Sequence, residues 1–128
     1  MRKTIVPSGM EGLTRDWKMS PGHLAGGLLF LTGFNGAAPD GSVSDDPKVQ
    51  IDVAFAQVEA VLSEAGLSFA NIAEVTSYHV GLRDHLALFK EAWALRMRDP
   101  YPAWTAIDVA GFATEGVIVE LRVIAVAR

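Results

Sequence analysis

The carboxylate of Glu120 lies in the run VIVELRVIAVA, Val117 to Ala127, and shares one side of an extended chain with Ile118 and Ile124. Dehydrating a charge between such neighbours is costly without a partner or a task. The partner reading is an interface salt bridge to Arg122 or to Arg83 of a neighbouring chain. The task reading is the orientation or activation of water. Trp104, in the stretch YPAWTAIDV from Tyr101 to Val109, raises a similar question. An indole offers one N–H and a flat apolar face, so it either fills an interface or lines a cleft. Other chemistry is restricted. The chain has no cysteine, which removes disulfides, thiolate metal sites and a thiolate nucleophile. The three histidines, His23, His79 and His85, show no metal-ligand spacing. His79 reads as a structural strand residue and His85 as a surface residue in the first turn of a helix. Beside it, Arg83 reads as a solvated charge and Asp84 as a cap.

These groups must be positioned by a single domain, residues 1–128, which is half hydrophobic and 20% charged. The net charge is −4 and no Lys/Arg block occurs, so no phosphate-tracking surface and no nucleic-acid partner are expected. The opening MRKTIVPSGMEG lacks the apolar run of a secretory signal. The longest apolar stretch, LLFLTGF, is too short to cross a bilayer. A soluble, cytoplasmic protein with no membrane partner is expected.

Lys3 to Val6 reads as a short strand ended by Pro7 and Gly9, and Met10 to Met19 as polar and irregular. Leu28 to Gly33 reads as a buried strand, paired with the preceding HLAGG through a turn at Gly26-Gly27. APDGS, Ala38 to Ser42, is a turn. The clearest element is a helix with Asp46 as N-cap, Pro47 at the first position and Gly66 just beyond the end. Its apolar stripe is Ile51, Ala54, Phe55, Val58, Val61, Leu62 and Ala65. Asn71 to Leu82 reads as a strand. Arg83 to Arg98 reads as a second helix with Leu86, Phe89, Trp93 and Met97 on one face, stopped by Pro100 and Pro102. Strands over Ala103–Val109 and Val117–Ala127 close the chain.

Two helices with one apolar stripe each cover only one face of such a sheet. On the last strand Val117, Val119, Leu121 and Val123 form an apolar row. The opposite row, Ile118, Glu120, Arg122 and Ile124, is mixed. A mixed row fits a sheet face that meets another subunit, so a homo-oligomer is expected.

Several stretches resemble the RidA/YjgF family of small trimeric proteins. FLTGF is similar to that family's strand ending in a Ser/Thr-Gly pair. AFAQVEAVLSEAGLSFANIAEVTSYHVGLRDHLALFKEAW resembles its helix, glycine stop, strand and second helix in order and length. YPAWTAIDV resembles its Pro-Ala-Arg segment, and VIVELRVIAVAR its closing strand. The resemblance implies an α+β fold like that of bacterial chorismate mutase: a mixed six-stranded sheet with two helices on one face, three subunits forming a central β-barrel, and clefts between subunits that bind small carboxylates. It implies a hydrolase of reactive imines and enamines that uses no metal and no cofactor, with Glu120 as the pocket glutamate and catalytic group. It places Thr32, Gly33, Trp104, Phe89 and Trp17 against the substrate. Three positions depart from the pattern: Trp104 where imine-deaminating members carry a carboxylate-gripping arginine, Phe89 where they tend to carry asparagine, and Ala106 where cysteine is frequent. Loss of the guanidinium fork predicts poor activity on 2-iminopropionate. The alternative is a non-catalytic trimer that binds a small metabolite. Ribonuclease action, ascribed to some members, is disfavoured by the charge.

Overall fold

The computed structural model describes residues 2–128. Its chain order is β1 (Lys3–Ile5), α1 (Glu11–Trp17), β2 (Gly22–Ala25), β3 (Leu28–Leu31), β4 (Phe34–Asn35), α2 (Pro47–Glu64), a 3-10 turn (Phe69–Asn71), β5 (Ile72–His79), α3 (Leu82–Arg96), β6 (Ala103–Asp108) and β7 (Val119–Val126). The strands form one mixed sheet in the order β1-β2-β3-β7-β5-β6, with β4 also paired to β7. Only β5 and β6 run parallel, as the intervening α3 requires.

Local chemistry sets these elements. The β2–β3 turn uses Gly26 and Gly27, both at positive φ, where a side chain would be strained. Helix α2 starts where expected: Asp46 accepts a hydrogen bond from the Lys48 N–H, and Pro47 occupies the first turn. Gly66 follows the helix in the left-handed conformation. The buried stripe of α2 meets the apolar row of β7, and Val119, Leu121, Val123 and Ala125 are all buried. Phe55 of α2 and Phe89 of α3 meet at 5.6 Å between ring centroids. The opposite face of the sheet carries no helix. Phe30, Ile124, Tyr78, Glu120, Arg122, Thr105 and Ile107 belong to it by strand alternation and register.

Four details differ from the sequence reading. Met10–Met19 contains a helix, α1, although its N-cap position is Met10 rather than a polar residue. The Gly9 N–H donates instead to the Glu11 carboxylate at 2.8 Å, and Lys18 ends the helix at a left-handed φ of 57°. A seventh strand, β4, is only two residues long and has no visible alternation. Asp84 does not cap α3. The Leu82 N–H donates to Asp108 of β6 at 3.0 Å instead, and Gly81 precedes it at positive φ. His85 is buried rather than at the surface.

One buried side chain, Gln50, holds the start of α2 to the approach to β7. Its carbonyl accepts from the Ile118 N–H at 2.9 Å. Its amide donates to the Ser44 and Gly116 carbonyls at 2.8 and 2.9 Å. The side chain thereby satisfies loop backbone groups that would otherwise be dehydrated and unpaired.

Candidate functional site

A cleft of about 500 Å³ opens on the helix-free face. Thr32, Gly33, Tyr78, Phe112, Glu120 and Arg122 are among the residues that line it. Its geometry begins with a pairing fault. Phe30 of β3 pairs with Ile124, whereas Phe34 of β4 pairs with Leu121. Three residues, Leu31 to Gly33, therefore oppose two, Arg122 and Val123. Such a bulge bends a strand and re-aims its side chains. It places Thr32 and Gly33 against Glu120. A Cβ at Gly33 would lie 2.5 Å from Oε2 of Glu120, so a side chain there would push the carboxylate aside. The Thr32 hydroxyl is directed toward Met19 Sδ at 3.0 Å, and its N–H donates to the Pro21 carbonyl.

Glu120 is partly buried, and it forms no hydrogen bond or ion pair among the described residues. Burial alone pushes its pKa up. Thr32, Gly33 and Glu120 are thus brought together by three strands.

Trp104, Phe89 and Trp17 are not part of this cleft in the chain. Trp104 stands beside Val75 in the β5–β6 register, and so on the helix-covered face. It stacks on Trp93 of α3 at 4.7 Å and on Phe89 at 5.4 Å. Phe89 is fully buried in the core, and Trp17 is 66% exposed on α1. The reason is the two-residue period of strands: Glu120 and Trp104 are on opposite faces of one sheet.

The Trp104 indole N–H donates to Ser77 Oγ at 2.8 Å. Ser77 is also 2.8 Å from Nε2 of His79, whose Nδ1 is 3.0 Å from Nε2 of His85. This buried polar chain was not legible in the sequence, where His85 falls at a helix start and Ser77 in a strand. The one available signal was their alternation, since Ser77 and His79 share the buried row of β5. Burial, with the neighbouring His85, lowers the His79 pKa to about 4. Burial also lowers that of His85, against the opposing charges of Asp84 and Asp108.

A one-layer mixed sheet, backed by two long helices and carrying an open-face cleft at a bulge, defines a small α+β protein. The family model described as Endoribonuclease L-PSP matches residues 17–127. The RutC family protein YjgH of Escherichia coli (strain K12) is 33% identical, over 97% of this chain and 94% of that protein. A solved structure of protein YJGH superposes with a TM-score of 0.84 at 32% identity, covering 98% of this chain and 95% of that one. The structure of E. coli TdcF with bound serine gives 0.74 at 25% identity, over 84% and 87% of the two chains. The chain belongs to this Endoribonuclease L-PSP family, the RidA/YjgF family of the sequence resemblance.

Proposed function

We propose that the chain is an imine or enamine hydrolase whose cleft operates between the subunits of a homotrimer, with Glu120 handling the water. The observation that carries this reading is Glu120 itself, a partly buried carboxylate without a partner among the described residues, held against the Thr32–Gly33 bulge inside a cleft of metabolite size. A partnerless charge in such a place is a liability to the fold and an asset to a reaction. Location on the helix-free face supports a site roofed by a second subunit. The bound serine of TdcF supports a small metabolite built like an amino acid as the ligand class.

The chemistry is compact. As water adds to the imine carbon, one of its protons passes to the Glu120 carboxylate and the nitrogen takes up a proton from solvent. The resulting carbinolamine receives the Glu120 proton on nitrogen. The C–N bond then breaks, ammonia leaves, and the hydroxyl oxygen becomes the new carbonyl as its proton departs. The net change is imine plus water to carbonyl plus ammonia. The raised pKa of Glu120 suits a group that both takes and returns a proton. The net charge of −4 and the single cation of the cleft, Arg122, weigh against an RNA substrate despite the family's description.

Imines generated in place by an amino-acid oxidase, with ammonia release as the readout, test the proposal. Glu120→Gln should lower the rate on the order of 10²- to 10⁴-fold, as loss of an acid–base group does. Equal rates for the two proteins would leave the non-catalytic, metabolite-binding trimer as the better reading.

A further inference from the structure

Arg122 and Glu120 are two residues apart on β7, so their side chains leave the same face with their Cα atoms about 7 Å apart. Both line the cleft. Opposite charges at this spacing are positioned to pair, yet among the described residues no ion pair joins them. Arg122 makes no hydrogen bond either, and Glu74, on the same face of β5, does not engage it. Cross-strand from Arg122 and Glu120 are Thr76 and Tyr78, neither of them a carboxylate or a basic residue. The cleft therefore presents one unengaged guanidinium and one unengaged carboxylate. Apart from Thr32, the other side chains of the cleft are apolar or aromatic: Leu31, Tyr78, Val109 and Phe112.

We propose that Arg122 is the specificity-determining anchor of this cleft, and that its substrates are 2-imino acids with a bulky apolar side chain. This rests on the hydrolytic reading given above. The guanidinium fork takes the substrate carboxylate in two parallel N–H···O contacts. The imine carbon, one bond from the carboxylate, then faces Glu120 and its water. The side chain lies on Phe112, Tyr78 and Val109. A methyl group leaves most of a cleft of about 500 Å³ hydrated, whereas a benzyl or isobutyl group displaces that water onto apolar walls.

Calorimetric titration with three stable carbonyl probes tests the anchor apart from the chemistry: phenylpyruvate, pyruvate and phenylacetone, the last keeping the ring but lacking the carboxylate. Phenylpyruvate should bind the parent protein at least about tenfold more tightly than pyruvate. Arg122→Gln should weaken phenylpyruvate on the order of 10- to 100-fold and leave phenylacetone unchanged. Arg122→Lys, which keeps the charge without the fork, should fall between. These variants should keep the far-UV dichroism and the light-scattering mass of the parent, so that a loss of binding is neither a loss of fold nor of assembly. Failure of the parent to bind phenylpyruvate, or a loss in Arg122→Gln that is absent or equal for both aromatic probes, would overturn the anchor. Should Glu120→Gln hydrolyse imines at the parent rate while binding still depends on Arg122, the hydrolytic reading falls and the anchor stands. Should hydrolysis need Glu120 but not Arg122, the reverse holds.

Discussion

At position 33 the absence of a side chain is what leaves room for the Glu120 carboxylate. Gly33 has no positive φ, so alanine is compatible with its backbone and the conflict is purely one of space. Gly33→Ala should therefore displace the Glu120 head group and lower kcat for imine hydrolysis by about tenfold or more, while thermal stability changes little. The ionisation of Glu120 has its own signature. Its folded-state pKa is raised by burial, so the folded protein holds that proton more tightly than the unfolded chain. Stability from this group is present at low pH and is lost as pH rises through the raised value. If the ionised form accepts the water proton, kcat rises with pH through a midpoint above the usual carboxylate range. In Glu120→Gln that limb should vanish, and the melting temperature at neutral pH should be equal to or higher than that of the parent. A fall in stability would mean that Glu120 is a structural charge with a partner in the assembly. The sequence showed that Glu120 was an expensive residue, because its neighbours at i−2 and i+4 are visibly apolar. It did not show Gly33 as its seat, since the bulge depends on pairing between distant strands.

Helix α3 and strand β5 are locked together by the chain from Trp104 through Ser77 and His79 to His85. Both ring nitrogens of His79 are engaged, and its pKa of about 4 means that the native fold holds it neutral. The unfolded chain binds a proton near the ordinary histidine value of 6.5. Stability is therefore full above about pH 6.5 and declines as pH falls toward 4, by up to about 3 kcal/mol for a shift of this size. Urea unfolding midpoints measured across that interval should trace the decline, and His79→Phe should start lower and show a flatter slope. A parent protein with no slope there would mean that the His79–His85 contact opens and hydrates at little cost. These elements also show what sequence patterns reveal. Helix α2 was readable in full because cap, stripe and stop are all local. Helix α1 was not, because a short helix with a methionine at its N-cap and a glycine inside it has no local advertisement. The face that Trp104 occupies was hidden for a subtler reason. The residue's family position was legible, but the side of the sheet it occupies follows from the register of β6 on β5, a long-range property.

The whole molecule leaves one face of its sheet without a layer, and that face carries Phe30, Ile107 and Ile124, an apolar content that favours a cover. We expect three copies to bury that face, giving a light-scattering mass three times the 13.7 kDa of the chain. Ile124→Asp, on the open face and partly buried already, should shift the mass toward that of the monomer while the far-UV dichroism persists. A stable monomer for the parent at micromolar concentration would sink this expectation. The mixed character of the last strand was enough to predict an unfinished face. The partner geometry was not readable, because assembly depends on shape as well as on composition.

Strand β6 ends the sheet with its outer backbone edge unpaired in the chain, and over Ala103–Asp108 its only charge is the final aspartate. Other edge strands are guarded by lysine, proline or a sharp bulge; β1, at the far edge, begins with Lys3 and is three residues long. An unguarded parallel edge recruits further strands from solution. Dilution or any change that frees the chain from its neighbours should therefore shorten the shelf life of the preparation through turbidity before it shortens it through unfolding. Thr105 lies on the face that assembly covers, so a lysine there would guard the edge only in the dissociated chain.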